Sequence, residues 1–199
     1  AAGANISFVG NPLIDTVRAE MGEEEARRHF GVADGEIPVL LMPGSRREEI
    51  ERLLAPMLGA AEILAARDSA RRFFLPVAGG VDTAQIQRHL AASSVEVTLT
   101  YDARYALMGI ARAAIAASGT VIMEAAIMGL PAVVLYRMSV LSYLVGRLLV
   151  DVPRFSLPNI LLGETFETEL LQDEVQPERI AEAMENIIAD GAARDYVTE

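Results

Sequence analysis

The sequence predicts an α/β fold, a parallel sheet with helices on both faces, and three observations point to it. Short apolar runs alternate with longer amphipathic stretches, which gives strand–helix–strand units. Most of the runs end at Gly or Pro, the residues that turn a chain sharply. The 199-residue chain is 52% hydrophobic and 23% charged, enough apolar material to bury one full core and too much for a disordered segment.

The elements follow in order. Residues 1–7 read as a lead-in or cloning remnant, and residues 8–35 as a connecting segment with one amphipathic helix. Residues 36–42 (EIPVLLM) form a buried strand ending at Pro43-Gly44. Residues 47–67 carry apolar side chains at helical spacing: Ile50, Leu53, Leu54, Met57, Leu58, Ala61, Leu64. Residues 71–77 form the next strand and 82–92 the next helix. Residues 95–99 alternate as a short strand, after which Asp102 is placed to cap a short helix. Residues 112–117 (RAAIAA) are a strand by context more than by propensity. A helix then runs from Ser118-Gly119-Thr120 to about Met128, with Gly129 as its stop. Residues 132–136 (AVVLY) form a strand, and helical patterns return at 139–149, 167–172 and 178–190, the last entered through Pro177. No repeat or internal boundary divides residues 8–199, which are read as one domain.

Composition excludes several classes. There is no cysteine, hence no disulfide scaffold and no thiolate metal site. Net charge is −11, against the basic footprint that nucleic acid requires. All 17 basic residues are Arg, so neither a P-loop lysine nor a Schiff-base lysine exists. Any bound anion must be held by Arg, by backbone N–H groups or by a helix N-terminus. His29 and His89 lie among helix-forming residues and read as solvated helix faces. The apolar stretch near 138–150 is too short to cross a bilayer. No metal-ligand spacing and no Ser/His/Asp arrangement is present.

Ligands of open α/β sheets bind beyond the carboxyl ends of the strands, so the loops after strands carry the information. In the first, Gly44 allows close backbone approach, Ser45 offers a hydroxyl and an N-cap, and Arg46 can fork onto a phosphate. An ordinary strand–helix turn with a capping serine is the competing reading. In the second, Ser118, Gly119 and Thr120 open a helix whose N–H groups can face an anion. Glu124 lies one turn further, flanked by Met123, Ala125, Ala126 and Ile127. A carboxylate in such apolar company needs a partner, and a sugar diol is one. The third loop, 152–163, contains Pro153, Pro158 and Asn159. It either closes a core edge or presents Asn159 to a ligand.

At these loops a resemblance emerges. Gly10-Asn11-Pro12-Leu13-Ile14-Asp15, Leu41-Met42-Pro43-Gly44-Ser45-Arg46 with Glu49-Ile50, Ala117-Ser118-Gly119-Thr120 with Glu124-Ala125, Gly129-Leu130-Pro131, Tyr136-Arg137, Ser156-Leu157-Pro158-Asn159 and Glu169-Leu170-Leu171-Gln172 occur in this order. The set resembles the C-terminal portion of the lipid-A-disaccharide synthase family, with Gly-Asn-Pro where Gly-His-Pro is commoner. The resemblance implies the C-terminal, Rossmann-like half of a GT-B glycosyltransferase, the half that binds the UDP-sugar donor. It implies transfer of 2,3-diacylglucosamine from its UDP derivative to 2,3-diacylglucosamine 1-phosphate, with inversion and release of UDP. No metal or cofactor is implied. The enzyme would be cytoplasmic and peripheral at the inner membrane, compatible with a homo-oligomer.

Carried onto this chain, the resemblance gives Gly44, Ser45 and Arg46 the diphosphate, with Arg46 stabilising the leaving group. It gives Ser118, Gly119 and Thr120 further phosphate contacts, Glu124 the ribose, and Arg137 and Asn159 supporting places in the donor site. The family's N-terminal domain, with the acceptor site and general base, is not in the sequence, so donor binding without turnover is the expectation. Two alternatives share these motifs: another GT-B or UDP-GlcNAc 2-epimerase-like enzyme, and a non-catalytic nucleotide-binding module.

Overall fold

The structure, a computed structural model, describes residues 13–138 and 168–189 together with Ser156 and Asn159. Among the described residues, six strands form one sheet: β1 (Ile37–Met42), β2 (Arg71–Pro76), β3 (Val97–Thr100), β4 (Ala113–Ala117), β5 (Ala132–Tyr136) and β6 (Thr168–Leu171). Their spatial order is β3-β2-β1-β4-β5-β6, and every neighbouring pair is parallel. β1 is therefore flanked by β2 and β4, and the direction of winding reverses there. The helices are α1 (Leu13–Thr16), α2 (Glu23–Phe30), α3 (Arg47–Arg67), α4 (Thr83–Ala91), α5 (Arg104–Ile110), α6 (Thr120–Ile127) and α7 (Pro177–Ala189).

Period-two alternation sends successive strand residues into two separate cores. Val39 and Leu41 of β1, with Ala113, Ile115 and Ala117 of β4, meet α3, α4 and α7. Leu40, Met42, Ala114 and Ala116 meet α2, α5 and α6. Both faces of β1 and β4 are thus covered, which is why these strands read as unbroken apolar runs. Gly129 ends α6 at φ 64, the left-handed geometry expected of a helix stop.

Three acids outside the cleft lining are held below the ordinary carboxylate range. Glu185 of α7 receives both forks of Arg71, at 2.8 and 2.7 Å, and Arg67 adds to the effect. Glu62 of α3 accepts from the Ser93 hydroxyl and from both the N–H and hydroxyl of Ser94. Glu51 accepts from Gln85, whose amide also meets the Arg47 carbonyl.

Four sequence expectations change. Residues 167–172, expected as a helix, hold strand β6 and the start of a 3-10 turn at Gln172–Glu174. A short apolar run does not reveal its own period; here the open edge of β5 supplies a parallel ladder from Val133↔Thr168 to Tyr136↔Leu171. Asp102 does not cap the following helix: α5 starts from Ala103, and the Asp102 carboxylate meets His29 Nε2 at 3.2 Å. Ser45 is not the cap of α3, which starts one residue later from Arg46. His29 is exposed on α2 as expected and meets Asp102, whereas His89 is not a solvated face: its side chain is 17% exposed and lies 3.7 Å from Glu51. The helices expected over 139–149 and most of the 152–163 loop lie outside the described residues.

Candidate functional site

A cleft of about 540 Å³ opens at the carboxyl ends of the strands, where the winding reverses between β1 and β4. Its described lining comes from four post-strand loops: Met42 to Arg46 after β1, Pro76 to Gly79 after β2, Thr100 to Arg104 after β3, and Ala117 to Val121 after β4. Glu20, Glu49, Met108 and Glu124 complete it. The crevice at such a reversal is left vacant by the diverging connections, and the helix N-termini that follow β1 and β4 point into it.

The loop after β1 is built around Glu49. Its Oε2 accepts the backbone N–H groups of Ser45 and Arg46, at 3.3 and 3.2 Å, and its Oε1 accepts from the Arg46 guanidinium at 2.9 Å. Gly44 is required for this turn. Its φ is 98, and a Cβ placed there would run into the Glu49 carboxylate. The Arg46 side chain remains 83% exposed at the cleft, tethered but facing solvent.

The loop after β4 is built differently. Ser118 closes the ladder by donating its N–H to the Leu135 carbonyl. Gly119, in extended conformation, is the N-cap of α6; no side chain caps this helix and its first turn holds no acid. Glu124, 8% exposed, takes a hydrogen bond from Arg104 Nη2 at 3.0 Å. Arg104 also reaches the Tyr105 hydroxyl at 2.7 Å, and its guanidinium carbon lies 4.7 Å from the Tyr105 ring centroid. The partner that an apolar helix demanded for Glu124 is therefore an arginine of this chain.

Seven of the nine sequence-derived candidates line one cleft: Gly44, Ser45, Arg46, Ser118, Gly119, Thr120 and Glu124. Arg137 and Asn159 are not among its described lining. Arg137, just past β5, donates to the Val175 carbonyl at 3.3 Å. Asn159 is fully buried and donates to Glu169 Oε1 at 2.8 Å, the same oxygen that accepts the Ser156 N–H.

Sequence reasoning missed Arg104, Glu20, Tyr101 and Gly79. The loops after β2 and β3 were open to the same rule as the other two, but their residues were read as turn and cap. Among the described residues, no group of three or more His, Asp or Glu is arranged to hold a metal. No helix among them is long and apolar enough to cross a membrane.

Solved structures of low sequence identity share this architecture. The UDP-GlcNAc 2-epimerase from Neisseria meningitidis bound to UDP-GlcNAc superposes with a TM-score of 0.61 at 16% identity, over 87% of this chain and 43% of that one. The ADP-heptose lps heptosyltransferase II of E. coli gives 0.60 at 14% identity, over 85% and 52%. At such identities the likeness is one of fold: a GT-B-type α/β domain. The sequence is more specific. The lipid-A-disaccharide synthetase family profile matches residues 2–198, and the chain belongs to that family. The lipid-A-disaccharide synthase of Syntrophus aciditrophicus is 40% identical over 199 residues, all of this chain but 52% of the relative. The chain thus spans about half the length of the curated relative it matches.

Proposed function

We propose that this chain is the donor-binding domain of a lipid-A-disaccharide synthase. The whole enzyme would transfer 2,3-diacylglucosamine from its UDP derivative to 2,3-diacylglucosamine 1-phosphate with inversion, working peripherally at the cytoplasmic face of the inner membrane. The acceptor and the general base belong to a domain outside this sequence. The observation that carries the reading is the cleft at the β1/β4 reversal, whose lining joins the uncapped start of α6 and the exposed Arg46. Backbone N–H groups at a helix start and an arginine fork are the groups that bind a diphosphate without a lysine.

In this reading the diphosphate lies between Arg46 and the start of α6, contacted by Gly44, Ser45, Ser118, Gly119 and Thr120. Arg46 offsets the charge that develops on UDP as the glycosidic bond breaks. Glu124 holds the ribose hydroxyls; a carboxylate accepts up to about four hydrogen bonds, so Arg104 does not exhaust it. Arg104 would steady that carboxylate and add positive charge beside the phosphates. Arg137 and Asn159 support the site from the β5–β6 edge.

The test separates phosphate from ribose contacts. UDP and uridine are titrated into the wild type, Arg46→Ala and Glu124→Ala, with folding checked by circular dichroism. Arg46→Ala removes a charge-assisted contact of roughly 1.5–3 kcal/mol and should weaken UDP far more than uridine. Glu124→Ala should weaken both alike. Equal losses on both ligands for Arg46→Ala reject its phosphate role, and unchanged uridine binding by Glu124→Ala rejects the ribose role. Chelator should leave UDP binding intact.

A further inference from the structure

Glu20 lies between α1 and α2, outside every strand–helix unit, yet it lines the cleft. Its Oε2 accepts the backbone N–H of Ala106 at 2.9 Å, across 86 residues of chain. Ala106 is the third residue of α5, and its amide is one that an N-cap side chain ordinarily satisfies. The N-cap of α5 is Ala103, held at φ 46 and bearing only a methyl group, so it makes no side-chain cap. Glu20 thus supplies the missing cap from a distant segment, and its charge opposes the positive end of the helix dipole.

A seven-residue helix has few internal hydrogen bonds to hold its first turn. That turn carries Arg104, the partner of Glu124 at 3.0 Å. We propose that Glu20 is a positioning residue of the nucleotide cleft: by capping α5 it keeps Arg104 on Glu124. The segment preceding the sheet is then a working part of the donor site. The inference rests on the donor-cleft reading above.

The experiment is a calorimetric titration of UDP into the full chain as wild type, Glu20→Ala, Glu20→Gln, Arg104→Ala and the Glu20→Ala/Arg104→Ala double variant. Hydrogen exchange at the Ala106 amide is followed in parallel. Loss of the cap should weaken UDP about fivefold in Glu20→Ala, the size of a typical cap contribution. Glu20→Gln keeps an oxygen that accepts from Ala106 and should stay within about twofold of wild type. In the Arg104→Ala background, Glu20→Ala should cost nothing more, because its effect runs through Arg104. Ala106 should exchange faster in Glu20→Ala than in Glu20→Gln.

An unchanged UDP affinity in Glu20→Ala overturns the inference. So does a loss that simply adds to that of Arg104→Ala, or a Gln variant as weak as the Ala variant. If Glu20→Ala fails to fold, Glu20→Asp replaces it, its shorter carboxylate withdrawn from Ala106. Failure of the wild type to bind UDP sinks the donor-cleft reading and this inference with it, whereas wild-type binding with any overturning variant result sinks the inference alone.

Discussion

Arginine–carboxylate pairs stand at both ends of this sheet, and they are built for different work. At the amino end of β2, Arg71 is 6% exposed and grips Glu185 through two short hydrogen bonds while also donating to the Leu64 carbonyl. It ties β2, α3 and α7 together. At the carboxyl end, Arg46 is 83% exposed on Glu49, and Arg104 is 50% exposed on Glu124. There the arginines keep a hydrated face toward the cleft. A pair with a buried arginine, such as Arg71 on the 28%-exposed Glu185, braces a fold, and removing either partner leaves a charge without its counter-ion. A half-solvated pair contributes little to stability and remains able to change partners when an anion arrives.

The largest expected effect follows from breaking the brace. Arg71→Ala should lower stability by about 3 kcal/mol, read from urea denaturation, and the variant that remains folded should bind UDP as wild type does. Equal stability losses for Arg71→Ala and Arg46→Ala would erase the distinction between the two ends.

Next comes a contrast within the cleft. Gly44→Ala forces a left-handed residue against Glu49 and should cost about 1–3 kcal/mol along with UDP affinity. At Gly119 the backbone is extended (φ 166) and a Cβ meets nothing within 4 Å. Gly119→Ala should therefore leave the melting temperature unchanged, and any loss of UDP binding it shows reports on ligand contact alone. A Gly119→Ala variant as unstable as Gly44→Ala would contradict the geometry of the two loops.

The smallest effect concerns pH. The hydrogen bonds from Arg71 hold the Glu185 carboxyl below the ordinary carboxylate range. A depressed carboxylate stabilises the fold above its unfolded-state pKa, and that stabilisation is lost as pH falls through the lower folded-state value. The stability gap between wild type and Glu185→Gln should be widest near neutrality and narrow through the acid range below about pH 4. A gap that stays constant down to pH 2 would show that Arg71 does not set this titration.

Much of this was determined by the sequence itself. Alternating apolar runs and amphipathic stretches marked β1 to β5 and the long α3, because burial on both faces writes itself into composition locally. Small residues after β1 and β4 marked Gly44-Ser45 and Ser118 to Thr120, loops that line the cleft, because a chain that turns sharply at a strand end leaves little room for bulky side chains. The ordered motifs named the family. Tertiary structure alone decided the rest. β6 exists because β5 offered an open edge, a hydrogen-bonding demand absent from residues 168–171 taken by themselves. Glu124 found Arg104, and Ala106 found Glu20, across 20 and 86 residues. Asp102 was drawn from capping α5 to pairing with His29 across 73 residues. Local patterns record which residues must be buried and where the backbone must turn. The partner of a charged or hydrogen-bonding group is fixed by distances in space, and those arise only when the sheet has brought its loops to one end.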